Sequence, residues 1–469
     1  MTFCMIKPST LCCFAFAIAA AFARAAEPAP GYDPQEARAR IQAVAPRMSF
    51  LENKQIKVGV DLAIGGAITY LAHRDGPNMI NRHDWGRQIQ MSFYSGPVPF
   101  TPNGQPPHPH WGKLGWNPIQ SGDVGGHPSR VIAHRNDGQT LFVQCVPMQW
   151  PLSGVPGDCT YEWTLSLEGP TVAVRARLVN ARGDTTPYPA KSQELPALYT
   201  NGPWYRLFSY TGEQPFTDAA PVLIPKRRVA PGEFPWNRFN ATESWAALVD
   251  DKGDGVGIWA PQVVSFLGGF AGKEGGGGPN DGPTGYLAPV RPELLDHNIV
   301  YDYGFTLIVG ALTDIRSWVY AHAPHRLPFA FRFTSDREHW YPTGGLKDAG
   351  WPIQGRLQLT HGGGGKERLM SPIGFWRTED VSRWYLRCQQ KTAATEAELH
   401  FETFGGSGAA RNGSVRFPIR GDGEWHTYEV TLAGAAEYKG AVRQFSLSPA
   451  VGAKAGDTVE IEYIGSVRP

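Results

Sequence analysis

The sequence predicts an all-β fold made of a large β-sandwich domain followed by a smaller one. Many short segments alternate between apolar and polar residues, as half-buried strands do. Turn-forming residues separate these segments throughout, with 55 Gly and 40 Pro among 469 residues. The 15 Trp, 17 Tyr and 23 Phe residues also favour strands over helices.

The overall charge excludes one broad class of function. The formal net charge is +1, so bulk attraction to nucleic acid or to an anionic membrane is not the basis of function. Hydrophobic residues make up 42% and charged residues 19%, which is the balance of a folded chain. We therefore expect no nucleic-acid partner.

Residues 1–25 have the layout of a secretory signal peptide. Lys7 precedes an apolar run from Leu11 to Phe22, and Ala23-Arg24-Ala25 fits an A-x-A cleavage site. The alternative is an uncleaved anchor, but the run is short for a membrane span, which takes about 20 residues. The sequence thus predicts a secreted or periplasmic protein with no membrane span after the signal is removed.

Residues 26–49 form an N-terminal segment with one short helix. The stretch DPQEARARIQAVA (33–45) is the clearest helical pattern of the chain. Asp33 can cap the helix, Pro34 suits its first turn, and Glu36 completes a capping pattern.

Residues 50–330 are predicted to form the large domain. The segments TYEWTLSL (160–167) and TVAVRARLV (171–179) alternate as half-buried strands do. The longer YDYGFTLIVGAL (301–312) is apolar enough for a strand buried on both faces. The segment 245–259 indicates a hairpin with a tight glycine turn.

Residues 331–469 are predicted to form the smaller sandwich, after a boundary that falls within 324–350. Short alternating strands recur there at the spacing of a sandwich. They are AELHFETF (397–404), GSVRFPI (413–419), WHTYEVTL (425–432) and TVEIEYIGSV (458–467).

Two cysteines indicate a disulfide. Cys145 and Cys159 flank a turn between two strand-like segments, and a bond between them would close a hairpin loop in an oxidising compartment. Spacing alone does not fix the distance between them, so two free thiols are the alternative. Cys388 lies in an apolar strand pattern and is expected to be a buried, inert thiol. No clustered His or Cys spacing indicates a metal site, and no cofactor is expected.

Both domains resemble parts of carbohydrate-active proteins. The segments GDGEWHTYEVTL and VRQFSLSPAVGAKAGDTVEIEYIG resemble the jelly-roll modules appended to secreted carbohydrate-active enzymes. GGAITYL, NMINRHDWGRQIQMSFY and the long aromatic strands resemble the galactose-mutarotase-like β-supersandwich class. The resemblance implies a catalytic supersandwich over 50–330 and a carbohydrate-binding-module-like accessory domain over 331–469. The catalytic His and Glu of true mutarotases have no matching positions, which argues against simple sugar mutarotation.

Four polar, aromatic-rich stretches are candidates for a sugar-binding cleft, because flat aromatic faces stack on sugars while amides and charges bind hydroxyls. A structural role is the alternative for each stretch, as a buried ion pair or a loop held by its own tryptophans. The candidates are His83, Asp84, Arg87, Gln88 and Gln90 in the first; Trp111, Trp116, Asn117, Gln120 and Asp123 in the second; Gln193, Glu194, Tyr199 and Trp204 in the third; and Trp236 in the fourth.

Glu194 is the leading catalytic candidate. A carboxyl group in an aromatic cleft has a raised pKa and can act as a general acid. Hydrolysis of a glycosidic bond needs a second carboxylate. Asp123 is the preferred partner, and Asp84 is the reserve. His83 is a further catalytic candidate.

The sequence favours a secreted carbohydrate-active enzyme that acts on a poly- or oligosaccharide by hydrolysis, and two alternatives to hydrolysis stay open. The first is a lyase acting on a uronate-containing glycan, in which Arg87 and Asn117 would bind the uronate and His83 or Tyr199 would take its proton. The second is a protein without catalytic activity, either a carbohydrate-binding protein or a structural envelope protein.

Overall fold

The computed structural model describes residues 32–230, 233–326, 328–405 and 411–469. The predicted signal peptide, residues 1–25, lies outside this part of the chain. Within it, no helix has the length and apolar character needed to cross a membrane.

The first part of the chain contains nineteen strands and two α-helices. The helices are α1 (Pro34–Ala43) and α2 (Leu312–His322), and short 3-10 turns cover Pro102–Gly104 and Gly112–Leu114. The strands are β1 (Met48–Glu52), β2 (Ile56–Asp61), β3 (Ala67–His73), β4 (Ile89–Ser92), β5 (Pro118–Ile119), β6 (Arg130–Asn136), β7 (Thr140–Val146), β8 (Met148–Gln149), β9 (Cys159–Glu168), β10 (Thr171–Asn180), β11 (Lys191–Asn201), β12 (Arg206–Ser209), β13 (Val222–Leu223), β14 (Asn237–Asn240), β15 (Trp245–Val249), β16 (Asp254–Trp259), β17 (Ser265–Ala271), β18 (Thr284–Glu293) and β19 (Val300–Ala311).

These strands form two antiparallel sheets. The first sheet follows the order β1-β2-β3-β4-β11-β18-β17-β14, with β5 and β8 attached beside β4. The second sheet follows the order β13-β12-β15-β16-β19-β10-β9-β7-β6. One large apolar core lies between them, and it includes Met91 and Leu198 from the first sheet and Tyr161 and Leu307 from the second.

The remaining strands build a second sandwich around its own core. They are β20 (Ala330–Arg332), β21 (Tyr341–Thr343), β22 (Lys347–Asp348), β23 (Leu357–Thr360), β24 (Arg368–Met370), β25 (Trp376–Arg377), β26 (Arg383–Lys391), β27 (Glu396–Thr403), β28 (Arg411–Pro418), β29 (Asp422–Thr431), β30 (Ala441–Ser448) and β31 (Thr458–Gly465). The third sheet runs β22-β23-β31-β26-β29 with β20 beside β31, and the fourth runs β21-β24-β30-β27-β28 with β25 beside β30. Phe333, Trp384 and Phe445 are among the buried side chains of this core.

The predicted all-β fold is confirmed. Strand β10 buries Val172, Val174 and Leu178 on one face, as its alternation predicts. β15 and β16 pair as the expected hairpin, with Trp245 opposite Trp259. The division into domains at residue 330 stays a prediction, although the strands on its two sides belong to different sheets.

The N-terminal helix also agrees with its sequence signals, whereas α2 was not predicted. The Asp33 carboxylate accepts hydrogen bonds from the backbone N–H groups of Gln35 and Glu36 at the start of α1. Helix α2 continues from the apolar strand β19 and buries Ile315 and Val319 at helical spacing. Residues 301–320 have a strand-like composition, which conceals the change from strand to helical periodicity between β19 and α2.

The predicted Cys145–Cys159 disulfide is absent, and both thiols are free and buried. Cys145 lies on β7 opposite Tyr161 of β9, so Cys159 is its diagonal neighbour. Diagonal Cβ atoms lie about 7 Å apart, whereas a disulfide needs about 3.8 Å. The strand register therefore explains the missing bond. Cys388 is buried, as expected.

Candidate functional site

A cleft of about 380 Å³ lies on the face of the first sheet that points away from the main core. We call it the aromatic cleft. Its lining includes Asp84, Arg87, Gln90, Ser92, Tyr94, Trp111, Asn117, Trp150, Glu194, Tyr199, Phe234 and Trp236.

Strand β4 and the residues after it supply one side of the aromatic cleft. Ile89 and Met91 point into the main core and are fully buried. Because successive side chains of a strand point to opposite faces, Gln90, Ser92 and Tyr94 line the cleft.

A β-bulge in strand β11 supplies the central side. Glu194 pairs with Ser92 of β4, and Ala197 pairs with Gln90. An advance of three residues along β11 therefore matches an advance of two residues along β4. The extra residue reverses the alternation. Glu194 and Tyr199, which are five positions apart, therefore both line the cleft.

The Glu194 carboxylate is held by tyrosines. Tyr286, on β18, donates a hydrogen bond to Glu194 Oε1 over 2.5 Å. Burial raises the pKa of Glu194, while hydrogen bonds with Tyr286 and Tyr94 act in the opposite direction. Burial and the nearby Glu194 charge also hold the pKa of Tyr94 and Tyr286 well above its ordinary value. Glu194 can therefore carry an exchangeable proton, whereas Tyr94 and Tyr286 keep their own hydroxyl protons.

Asp84 brings a second carboxylate to the same cleft. Arg87 Nε lies 3.1 Å from Asp84 Oδ2, and the Gly86 N–H donates to Asp84 Oδ1 over 2.9 Å. Both contacts fix the position of the Asp84 carboxylate in the cleft. Burial first, and then the nearby charges of Glu194 and Asp84, raise the pKa of Tyr199 well above its ordinary value.

Aromatic rings form one wall of the cleft. We call Trp150, Trp111, Phe234 and Trp236 the aromatic wall. Trp111 lies 5.6 Å from both Trp150 and Phe234 between ring centroids, and Phe234 stacks on Trp236 at 5.8 Å. Phe234 is 45% exposed, which is unusual for a large apolar side chain. The wall offers flat apolar faces to a ligand.

A second cavity of about 750 Å³ adjoins the aromatic cleft and shares Asp84, Trp111 and Trp150 with it. We call it the helix-side cavity, because α1 forms one of its walls. Its lining includes Arg38, Ile41, Asp61, Arg82, His83, Asp84, Gln88, Trp111, Asp123 and Trp150.

The structure separates Asp123 from Glu194, which corrects the preferred acid pair. Asp123 lines the helix-side cavity and is 1% exposed. Its oxygens accept hydrogen bonds from the N–H groups of His127 and Gly154 over 2.9 and 2.6 Å, and they also contact His127 Nδ1. Asp123 therefore organises its own loop, and Asp84 is the carboxylate that shares the cleft with Glu194.

His83 and Gln88 also face the helix-side cavity rather than the aromatic cleft. His83 Nδ1 lies 2.8 Å from the Asn280 carbonyl oxygen. The buried Gln88 donates to the Asp84 carbonyl oxygen. The segment that carries them is a turn, so the strand alternation expected for it does not apply.

Four other candidates are structural. Trp116 is fully buried and donates from Nε1 to Asp158 over 3.0 Å. Gln120 donates to the Gly65 carbonyl oxygen, and Gln193 bonds both backbone groups of Tyr94. Trp204 packs into the main core. The two amides satisfy buried backbone groups, a role that composition alone does not reveal.

Sequence reasoning missed five residues of the site. They are Ser92, Tyr94, Trp150, Phe234 and Tyr286. Ser92 and Tyr94 could have been found from the alternation that starts at Gln90. Tyr286 could not, because only the pairing of β18 with β11 brings it to Glu194.

No metal centre accompanies the site in the described ranges, where no group of three His, Cys, Asp or Glu side chains could hold an ion.

Comparison with solved structures finds galactose-mutarotase-like proteins. A protein provisionally described as an aldose 1-epimerase from Escherichia coli K12 is 14% identical, with 57% of this chain and 100% of that chain covered and a TM-score of 0.36. A galactose mutarotase-like protein from Lactobacillus casei is 10% identical over 56% and 100% of the two chains, with a TM-score of 0.34. A 4-alpha-glucanotransferase from Thermococcus litoralis is 12% identical over 57% of this chain and 40% of its own, with a TM-score of 0.31.

The expected resemblance is thus found among solved structures, at a similarity too low to assign a family or an activity. No protein-family model matches the chain. No curated protein matches it.

Proposed function

We propose that this chain is a carbohydrate-active enzyme that hydrolyses glycosidic bonds of a poly- or oligosaccharide. One observation carries the proposal: two carboxyl groups, Glu194 and Asp84, line a single cleft that has an aromatic wall. We also propose export through the signal peptide and an accessory role for the second sandwich.

The aromatic wall supports a sugar as the ligand. Pyranose rings present flat C–H faces that stack on aromatic rings. Trp111 and Trp236 are partly exposed in the cleft, so their faces are available to a ligand. Trp116 and Trp204, in contrast, are buried core residues and offer no face to a ligand.

The two carboxyl groups suit different roles. Burial raises the pKa of Glu194, which favours a protonated acid that gives its proton to the leaving glycosidic oxygen as the C–O bond breaks. Asp84 lies beside Arg87 in the same cleft, where it can activate water or attack the anomeric carbon. If Asp84 attacks the anomeric carbon, water then displaces it, supplies the hydroxyl group of the new reducing end and returns a proton to Glu194. If Asp84 instead activates the water, Asp84 takes the water proton, and exchange with solvent restores both carboxyl groups.

A lyase is the second candidate, and it is favoured by Arg87, which could neutralise a uronate. Two observations favour hydrolysis over it. Arg87 already contacts Asp84 and donates to the Gly282 carbonyl oxygen. The pKa of Tyr94, of Tyr199 and of Tyr286 is raised by burial, so each hydroxyl group keeps its proton and is less available to accept a C5 proton.

The test compares E194Q and D84N with wild type on neutral and uronate-containing glycans. Reducing ends and the absorbance of unsaturated uronate are followed together. We expect new reducing ends without absorbance, and a loss of about 10²–10⁴-fold in rate for E194Q, as for removal of a general acid. E162Q is the matched control, because Glu162 lies on β9 of the opposite sheet and contacts Gln144.

The outcomes distinguish a hydrolase from a lyase and from a glycan-binding protein. Near wild-type rates for E194Q would remove Glu194 as the acid. Absorbance rising with the reducing ends would replace hydrolysis by the lyase reaction. Glycan binding that is unaffected by E194Q and occurs without cleavage would leave a binding protein.

A further inference from the structure

We infer that the helix-side cavity binds an anionic unit of the glycan, through the guanidinium groups of Arg38 and Arg82. This inference rests on the proposed function, since it names the substrate class of the same cleft. The anionic group is a carboxylate or a sulfate ester, which share the same recognition chemistry.

The two cavities accommodate one ligand. They share Asp84, Trp111 and Trp150, so a chain that passes Asp84 enters both. At about 380 and 750 Å³, each has the size of a small-molecule site, about 300–1,000 Å³. Together they fit an oligosaccharide with units on both sides of Asp84.

Arg38 and Arg82 are the unneutralised charges of the helix-side cavity. Arg38 projects from α1 and is exposed, and Arg82 is partly exposed beside His83. Neither guanidinium has a hydrogen-bond or ion-pair partner among the residues that the structure describes. Arginines without an internal partner can give their bidentate donors to a ligand.

The acidic residues of the cavity do not offset these charges at the ligand. Asp61 is 3% exposed and accepts from the N–H groups of Arg47 and Ala63. Asp123 is 1% exposed and is held by its own loop. Asp84 contacts Arg87. These three carboxylates are thus bonded within the protein, whereas Arg38 and Arg82 keep their donors for a ligand.

The backbone segments that carry both arginines are anchored. The neighbouring Arg40 ties α1 to the opposite loop by donating to the Gly125 carbonyl oxygen over 2.9 Å. The Arg82 N–H donates to the Pro279 carbonyl oxygen over 2.6 Å. This anchoring reduces the ordering that binding requires.

The experiment is calorimetric titration of the full chain with three hexasaccharides. Oligogalacturonate supplies carboxylates, an oligomer of κ-carrageenan supplies sulfates, and cellohexaose is neutral. The variants are R38Q, R82Q, the double variant and R175Q. Arg175 is the matched control, because it is an exposed arginine of β10 that lines neither the aromatic cleft nor the helix-side cavity.

We expect wild type to bind at least one anionic probe about tenfold or more tightly than cellohexaose. The double variant should lose about tenfold in affinity for that probe and become less sensitive to added NaCl. R175Q should keep the wild-type affinity. The anionic probe that binds identifies the carboxylate or the sulfate.

Equal affinity of the double variant and wild type for the anionic probes would overturn the inference, as would equal binding of all three probes. A neutral glycan cleaved in a Glu194-dependent way, without anion binding, overturns the inference and leaves the proposed function intact. Anion binding through Arg38 and Arg82 without any cleavage supports the inference and overturns the proposed function.

Discussion

At the scale of single residues, Glu194 combines its proposed catalytic role with a cost to stability. Its pKa is raised by burial, so the folded state prefers the protonated form more strongly than the unfolded chain does. The associated stabilisation is complete below the unfolded pKa and is lost as the pH rises through the folded pKa. Above that range, a charged Glu194 opposes folding.

We therefore predict that E194Q is more stable than wild type at pH 8. Glutamine keeps an oxygen for the Tyr286 hydroxyl group and does not ionise. The melting temperature should rise by about 2 °C or more, and the gain should vanish near pH 4. Thermal unfolding followed at both pH values measures this, and a lower melting temperature for E194Q at pH 8 would contradict it.

At this scale, the structure brings some of the sequence-predicted residues together in one cleft and places others elsewhere. Glu194, Asp84, Arg87, Trp111 and Trp236 are in the aromatic cleft as expected. Asp123 and Trp116 have the same chemistry as residues that line the cleft, yet they are buried and bonded internally. Exposure decides between the two outcomes, and exposure depends on contacts distant in sequence.

At the scale of the elements, the strand register answers a question that the cysteine spacing left open, namely whether Cys145 and Cys159 can form a disulfide. The offset between β7 and β9 sets Cys145 against Tyr161 instead of Cys159. Burial raises the pKa of Cys145 and Cys159, and it raises the pKa of Cys388 to about 12.

We predict that the native protein without residues 1–25 does not react with a thiol reagent at neutral pH, because thiolate is the reactive form. Unfolding in denaturant, with no reductant added, should release three thiols, those of Cys145, Cys159 and Cys388. Titration with a chromogenic disulfide reagent before and after unfolding measures the number. One thiol instead of three would mean that the Cys145–Cys159 bond forms after all.

Element types were predictable where one period persisted over many residues. Strands β9 and β10 and helix α1 match their patterns. The turn over residues 82–88 does not, because its form depends on distant carbonyl groups. Those of Pro279, Asn280 and Gly282, in the glycine-rich loop before β18, bond Arg82, His83 and Arg87.

At the scale of the whole molecule, a buried ionic cluster joins the two sandwiches. Arg337 Nη1 lies 2.7 Å from Asp296 Oδ2, at the end of the first sandwich, and its Nη2 lies 2.6 Å from Asp348 Oδ1, on β22. The side chains of Arg337 and Asp348 are 6% and 5% exposed. Removing the cation would leave two buried carboxylates without their partner.

We predict that R337A destabilises the protein by about 3–5 kcal/mol, as for breaking a buried ion pair from one side. R383A is the control, because the Arg383–Glu429 pair is exposed, and it should change stability far less. Urea denaturation compares the variants, and equal midpoints for both would mean that the cluster does not hold the sandwiches together.

The bulge in β11 has a consequence for how this chain is aligned with its relatives. Glu194 and Tyr199 share a face only because one extra residue lies between them. A gap of a single position there interchanges the cleft-facing and core-facing residues of everything beyond it. The length of this strand is therefore as much a signature of the site as the carboxylate, and an alignment that ignores it would assign Tyr199 to the wrong column.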